Sequence, residues 1–311
     1  MNKNMVNIAN QKNKKKKLGL LSFKKDFSAW ILILPALLCI YFIVIRPMVL
    51  GIYWSFFDMK GFTPQGFVGL ENYKRVVTDT VFAKTFWNTC QYVFWSLLIG
   101  FPIPFAVAVI MNELLHFRKV TRIMVYLPVI MPAVAVSLLW YFIYYPDASG
   151  LLNMLLGKFG IEPYVWLQDS RFTILYIVIS MTWSGMGATA IYYFSGLQGI
   201  NSELYEAAII DGAGFFVRLR HVTIPQMSGM LILFLIKQII GVFSVMEQPM
   251  QMTDGGPNNA SITLGLMNYR YGFVLNKPQL AMAQGVIMFL FLAIFAVIYF
   301  RVNKKIEEGQ M

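Results

Sequence analysis

Long apolar stretches alternate with short polar segments along the whole chain. A helix needs about 20 mostly apolar residues to cross the hydrocarbon core of a bilayer, and six stretches reach that length. They cover residues 29–53, 88–112, 123–146, 172–197, 229–250 and 280–302. The pattern therefore predicts an all-α membrane protein with six transmembrane helices.

Helix-breaking residues interrupt two of these stretches. Pro128 and Pro132 lie in the third, and Gly185, Gly187 and Gly196 lie in the fourth. A membrane helix tolerates such residues where neighbouring helices or a wet cavity satisfy the freed backbone groups. We therefore expect breaks in the third and fourth spans.

The composition excludes an ordinary soluble enzyme. Hydrophobic residues make up 58% of the chain against a usual ~45–50%, and charged residues 13% against ~25%. The mean hydropathy is +0.59. The two histidines are too few and too isolated for a metal site, and the two cysteines cannot form a disulfide framework,. No nucleophile and base stand together, so we expect neither catalysis nor a cofactor.

The net charge of +11 is concentrated in residues 1–28, which include four consecutive lysines. A basic segment beside a membrane span suits anionic lipid rather than nucleic acid. We therefore predict a basic cytoplasmic tail over 1–28 that contacts membrane lipid. The transmembrane permease domain is predicted over 29–303, and a short cytoplasmic tail over 304–311.

Lysine and arginine also orient the spans. Two sets of segments alternate between the spans, and the first holds twice as many of these bases as the second. The first set is the tail with residues 113–122, 198–228 and 301–311, and the second is residues 54–87, 147–171 and 251–279. Cytoplasmic loops carry the excess of positive charge. Both termini are therefore predicted to be cytoplasmic, in a multi-pass protein of the plasma membrane.

The predicted cytoplasmic segment 198–228 has local structure of its own. Asn201 or Ser202 can cap a helix that starts there, and Gly212 can end it because glycine adopts a positive φ without strain. A second short helix is predicted over 214–221. The pattern describes a short amphipathic helix along the cytoplasmic face. It is either a plain surface helix or one that seats in a groove of another protein.

Within this segment lies a spaced motif. Glu206-Ala207-Ala208 is followed after three residues by Gly212, and after nine more by Val222-Thr223-Ile224-Pro225. The motif resembles the "EAA" loop of ATP-binding-cassette (ABC) importer permeases, with conservative departures at Val222 and Ile224. The resemblance implies that the loop, including Asp211, docks on a separate ATPase and transmits its motion. The chain itself lacks a G-x-x-x-x-G-K-[ST] phosphate loop,.

Two more motifs resemble the sugar-permease branch of that family, the MalF/UgpA type. They are Gly69-Leu70-Glu71-Asn72-Tyr73 with Asp79, Phe82, Asn88 and Thr89, and Thr253-Asp254-Gly255-Gly256-Pro257. The resemblance implies a type I ABC importer permease fold with its core at about residues 85–300. It also implies three partners: a homologous second permease subunit, a cytoplasmic ABC ATPase dimer and an extracytoplasmic sugar-binding protein or lipoprotein.

The same resemblance supplies candidate residues for the translocation pathway. Carried over position by position, they are Val129, Ala133, Trp183, Gly185, Gln238, Val242 and Val245. The polar Glu247 and Gln248 near the outer end of span five are further candidates. Trp183 is equally suited to packing. The outer-loop residues Gly255, Gly256 and Pro257 shape a surface near the binding protein, or form only a tight turn.

The implied cargo is a di- or oligosaccharide. An alternative cargo is glycerol-3-phosphate or another polyol derivative, for which Lys237 is the one deep basic residue of the predicted spans. A stand-alone carrier is disfavoured. No Asp or Glu lies near the middle of a predicted span, where ion-coupled carriers usually place a carboxylate.

Overall fold

The computed structural model of the protein describes residues 27–113 and 118–307. Most of the predicted basic tail and the last residues of the C-terminal tail lie outside these ranges. Within them, five helices are long and apolar enough to cross a membrane: Trp30–Trp54, Phe82–Glu113, Thr173–Leu197, Phe215–Phe243 and Pro278–Arg301. Two further helices, Val120–Ile130 and Ala133–Ile143, meet at 98° and give a sixth span if the bent pair crosses the membrane as one. The prediction of a multi-pass helical membrane protein is confirmed, with five spans, or six when this pair is counted as one.

The chain divides into two compact units at Tyr53 and Trp54. The first unit contains span one, which runs through Phe27–Ile40, a π-helical turn at Tyr41–Ile45 and the helix Arg46–Trp54. The other five spans belong to the second unit, and the site described below is built from these alone.

Span five differs from its predicted position. It was expected over 229–250 with a separate helix over 214–221, but one continuous helix runs over Phe215–Phe243. A π-helical turn at Leu219–Thr223 joins the two parts. Pro225 follows in the first turn of the next α-helical segment, and such a π-turn accommodates its missing N–H. The helix stops before Ser244, and a short helix over Glu247–Thr253 follows.

Span three breaks as expected, but span four does not. The bend in span three falls between Ile130 and Ala133, next to Pro132. Span four is one unbroken helix. Its glycines permit close packing instead, because a Cβ at Gly187 would lie 2.1 Å from the backbone oxygen of Val125.

Short elements connect the spans. Strands β1 (Phe57–Lys60) and β2 (Thr63–Phe67) form an antiparallel hairpin, which is an exception to the all-α prediction. The loops predicted to lie outside also hold the helices Glu71–Val77, Leu151–Gly157, Glu247–Thr253 and Leu264–Tyr269, a π-turn at Arg270–Val274 and a 3₁₀ turn at Trp166–Gln168. The helices Ser202–Ile210 and Phe215–Arg218 follow span four. The last helix continues from Pro278 to Glu307, so the start of the predicted C-terminal tail is helical.

Two apolar clusters hold spans two, four and five together. One contains Tyr92, Ile177, Val178 and Val242. The other lies nearer the predicted cytoplasmic ends and contains Ala108, Ala190, Tyr193, Leu197 and Met227. Together these clusters fix the three helices around the cavity described next.

Candidate functional site

A cavity of about 330 Å³ lies among spans two, four and five. Its volume is at the lower end of the range for small-molecule sites. Its polar lining residues are Ser96, Thr182, Ser184, Thr189, Lys237, Gln238 and Gln248. Among residues 27–113 and 118–307, no aspartate or glutamate lines it. The cavity lies within the predicted membrane region, and its lining offers hydroxyl and amide groups together with the Lys237 side chain. Such a cavity can bind a polar solute.

The wall of the cavity at span two is shaped by the π-helical turn Ser96–Gly100. The Gln238 side-chain amide donates a hydrogen bond to the Ser96 hydroxyl at 2.5 Å. A Cβ at Gly100 would lie 3.0 Å from Gln238 Nε2, 3.2 Å from Thr182 Oγ1 and 3.3 Å from Ser96 Oγ. Polar side chains of spans two, four and five thus meet beside Gly100, which has no side chain of its own.

The candidate pathway residues fall into three places. Gly185, Gln238, Val242 and Gln248 line the 330 Å³ cavity. Val245 and Glu247 instead line a separate cavity of about 460 Å³, which Gln248 also borders.

The remaining three pathway candidates lie elsewhere. Trp183 packs edge-on against Trp140, with ring centroids 5.8 Å apart. Val129 and Ala133 flank the bend in span three. None of these three residues lines the 330 Å³ cavity.

The sequence did not indicate that Ser96, Gly100 and Thr182 line this cavity. They enter the cavity because helices far apart in the chain pack together. The polar Ser96 in an otherwise apolar stretch was the one available signal, and the stretch alone does not show which side of the helix it occupies.

The predicted coupling loop contains a capped helix over Ser202–Ile210. Asn201 is its N-cap, and its side chain accepts a hydrogen bond from the backbone N–H of Glu203 at 3.1 Å. At the other end Gly212 has a φ of +77°, and the N–H of Ala213 donates to the carbonyl of Ala208 at 2.9 Å. Asn201 therefore caps the start of the helix and Gly212 follows its end, as the sequence predicts,.

The surface of this loop is apolar and open. Ile209, Ile210 and Phe216 are 55%, 85% and 79% exposed. Glu206, Ala207, Asp211 and Pro225 are exposed as well, and Ala208 is half-buried. An exposed apolar surface beside charged side chains is typical of a site that contacts another protein.

Two polar contacts join the loop to the base of span five. The hydroxyl groups of Tyr205 and Thr223 are 3.0 Å apart. The Arg218 guanidinium donates to the carbonyl of Ala213 at 3.0 Å. The loop helix is therefore in direct contact with the helix that carries Gln238.

The predicted outer loop around Gly255, Gly256 and Pro257 is tightly packed. Gly255 has a φ of +74°, and a Cβ there would lie 3.2 Å from Ile262 Cβ. The carbonyl of Gly256 accepts a hydrogen bond from Ser261 Oγ at 2.7 Å. The segment is thus part of a fixed structure rather than an isolated turn.

Side chains of span two form hydrogen bonds with the backbone of this predicted outer loop. The buried side chain of Asn88 donates to the carbonyls of Asn259 and Ile262 at 2.8 and 3.0 Å. Thr89 Oγ1 accepts from the N–H of Leu264 at 3.0 Å. Both residues belong to the motif that resembles sugar permeases, and both here support the loop.

Titratable groups cluster in the loop between spans three and four. The Arg171 guanidinium, 2.7 Å from Asp169, holds the pKa of that carboxyl well below its usual range, and the Tyr164 hydroxyl contributes by donating a hydrogen bond to it. The same hydrogen bond raises the pKa of Tyr164 to about 12. Ionised Asp169 therefore stabilises this loop at neutral pH.

Comparison with known proteins identifies the class of this chain. The family described as "Binding-protein-dependent transport system inner membrane component" matches residues 100–308. The chain belongs to this family and is a permease of an ABC transport system.

Individual relatives cover most of the chain. The arabinooligosaccharides transport system permease AraP of Bacillus subtilis (strain 168) is 28% identical over 78% of this chain and 78% of its own length. The trehalose/maltose transport system permease MalF of Thermococcus litoralis is 29% identical over 91% of this chain and 96% of its own length.

A solved structure shows the same fold. A chain of a bacterial ABC transporter involved in the import of the acidic polysaccharide alginate matches with a TM-score of 0.82 at 22% identity, over 91% of this chain and 97% of that chain. The predicted type I ABC importer permease fold is confirmed.

Proposed function

We propose that this permease imports a di- or oligosaccharide in an ATP-driven, binding-protein-dependent system. The observation that carries the proposal is the polar cavity among spans two, four and five. Its hydroxyl and amide side chains suit the hydroxyl groups of a sugar. The relatives support the same cargo class, since their names specify arabinooligosaccharides and trehalose or maltose.

The loop over 198–228 couples the cavity to ATP hydrolysis in this proposal. Its open face presents Glu206, Ala207 and Ile210 to a separate ATPase dimer. The Tyr205–Thr223 contact then passes the movement of the ATPase into span five, where Gln238 borders the cavity. Asp211 and Gly212 set the end of the loop helix, and Pro225 lies in the first turn of the α-helical segment Ile224–Phe243 of span five.

Three partners complete the transporter. A homologous second permease supplies the other half of the pathway, the ATPase dimer lies on the cytoplasmic side, and a sugar-binding protein delivers cargo from outside. The fixed outer loop with Gly255, Gly256 and Pro257 offers that protein a rigid contact surface. The charge bias of the loops supports cytoplasmic termini.

Transport by the whole complex tests this function. The chain is purified with its partner subunits and reconstituted in liposomes with the binding protein. We expect uptake of at least one labelled oligosaccharide only when ATP reaches the ATPase. Uptake by this chain alone under an ion gradient, or no ATP-dependent uptake of any saccharide, contradicts the proposal.

A further inference from the structure

Lys237 is the one charged residue in the helix Ile224–Phe243. At a rise of about 1.5 Å per residue, it lies about 20 Å from Ile224 and about 9 Å from Phe243, where the helix ends. An ionisable residue at such a depth is costly to keep in a membrane and usually serves a function.

The Lys237 ammonium group has aromatic but no acidic neighbours in the part of the chain that the structure describes. Nζ lies 5.5 Å from the ring centroid of Phe234 and 5.9 Å from that of Tyr192. None of the ion pairs found among residues 27–113 and 118–307 includes it. The side chain borders the 330 Å³ cavity and a more apolar one of about 450 Å³, and no acidic residue of the described chain lines either cavity.

We propose that Lys237 binds an acidic group of the transported saccharide. The proposal rests on the function proposed above and adds a charge to the cargo: a carboxylate, sulfonate or phosphate on the sugar. A cation attracts an anion more strongly beside a protein wall of low dielectric constant than in bulk water. A neutral sugar would leave the ammonium group unpaired, so the cavity favours the charged cargo.

The rest of the lining fits the same cargo. Gln238 is the next residue along the helix, and its amide donates to Ser96, which leaves its carbonyl oxygen as an acceptor for a sugar hydroxyl. Thr182 donates its own hydroxyl proton to the carbonyl of Val178 at 2.8 Å and likewise offers an acceptor. The cation thus binds the acidic group, and its neighbours bind the hydroxyl groups.

Matched saccharide pairs and matched lysine variants test this inference. The reconstituted complex is given neutral tetrasaccharides of glucose, galactose or mannose, and the corresponding tetrauronates. ATP-dependent uptake is measured for the wild type, Lys237→Gln and Lys237→Arg. Lys277→Gln is the control, because it removes the same charge from an exposed position in the loop between spans five and six. The binding protein is identical in every sample, so differences between variants report the permease.

We expect a tetrauronate to be transported, and Lys237→Gln to lower its uptake at least tenfold. Lys237→Arg should retain most of the uptake, and Lys277→Gln should match the wild type. Transport of a neutral tetrasaccharide that Lys237→Gln leaves unchanged overturns the inference but not the proposed function. Loss of the second permease from purified Lys237→Gln complex also overturns it, since the lysine would then pair across the subunit interface. Absence of ATP-dependent uptake of every di- and oligosaccharide supplied, in this panel and in the test of the proposed function, overturns the proposed function itself.

Discussion

At Gly100 the absence of a side chain leaves room for three polar groups of the cavity. We predict that Gly100→Ala displaces Gln238, because the new methyl group would lie 3.0 Å from its amide nitrogen. Loss of one hydrogen bond to the cargo costs about 0.5–1.5 kcal/mol, equal to roughly a 2- to 10-fold loss of apparent affinity. The measurement is the saccharide concentration that half-saturates ATP-dependent uptake.

Gly285→Ala is the control for that variant. Gly285 also lies within a membrane helix, and a Cβ there meets no atom within 4 Å. Equal affinities of the two variants would show that the groups around Gly100 do not bind cargo.

Asp169 gives a residue-level prediction about pH. Its pKa is lowered by Arg171 and Tyr164, so its stabilisation is complete above the ordinary aspartate pKa of about 3.9 and is lost as the pH falls further toward the folded-state value. We predict that hydrogen-exchange protection of residues 166–172 stays constant between pH 7 and pH 5.

Asp169→Asn removes this stabilisation at every pH and should lower that protection several-fold at pH 7. Glu162→Gln serves as its control, since Glu162 is an exposed carboxylate of the same loop. Unchanged protection in Asp169→Asn would mean that the ion pair does not order the loop, as often holds for exposed pairs.

Some of the residues singled out from the sequence have a structural role that their pattern did not reveal. Asn88 and Thr89 were noticed through a resemblance, and the structure shows that they hydrogen-bond the loop over 259–264. Ser96 and Thr182 border the cavity but were not predicted. Their role depends on contacts between separate spans, which no local pattern contains.

On the scale of elements, the contact between the loop helix and span five can be tested alone. Tyr205→Phe and Thr223→Val each remove one partner of the bond between the two hydroxyl groups, and Thr223→Val also removes a long bond of 3.5 Å to the carbonyl of Arg218. A bond of this type contributes about 0.5–1.5 kcal/mol, so each variant should lower coupled uptake about 2- to 10-fold while ATP hydrolysis continues. The double variant should lose no more than either single variant.

A fully additive double variant would contradict this mechanism, because the two side chains would then act independently. The ratio of saccharide molecules transported to ATP hydrolysed is the quantity to compare in all three variants.

The sequence predicts which elements exist better than where they end. Apolar length alone is enough to predict six spans, because the bilayer thickness sets it. The start of span five at Phe215 was missed, since the π-turn at Leu219–Thr223 carries the helix through the segment that precedes Pro225. Span four was expected to break at its glycines, but it is one continuous helix, and Gly187 instead allows the backbone of Val125 to approach closely.

On the scale of the whole molecule, span five connects the 330 Å³ cavity to the loop over 198–228. Lys237 and Gln238 border the cavity, and the same helix reaches the loop through Thr223. The family and fold are established by comparison. The cargo and the partners depend on surfaces of other proteins, so the sequence of one chain predicts their class but not their identity.

We propose that this chain couples ATP hydrolysis by a partner to the import of a saccharide. The most direct measurement is the ATPase rate of the reconstituted complex with its binding protein, across a panel of oligosaccharides, for the wild type and Glu206→Lys. We predict that one saccharide raises the wild-type rate and that Glu206→Lys lowers this stimulation by about 5-fold or more, the low end of typical coupling energies. An ATPase rate that no saccharide changes, or full stimulation in Glu206→Lys, would contradict the proposed coupling of ATP hydrolysis to saccharide import.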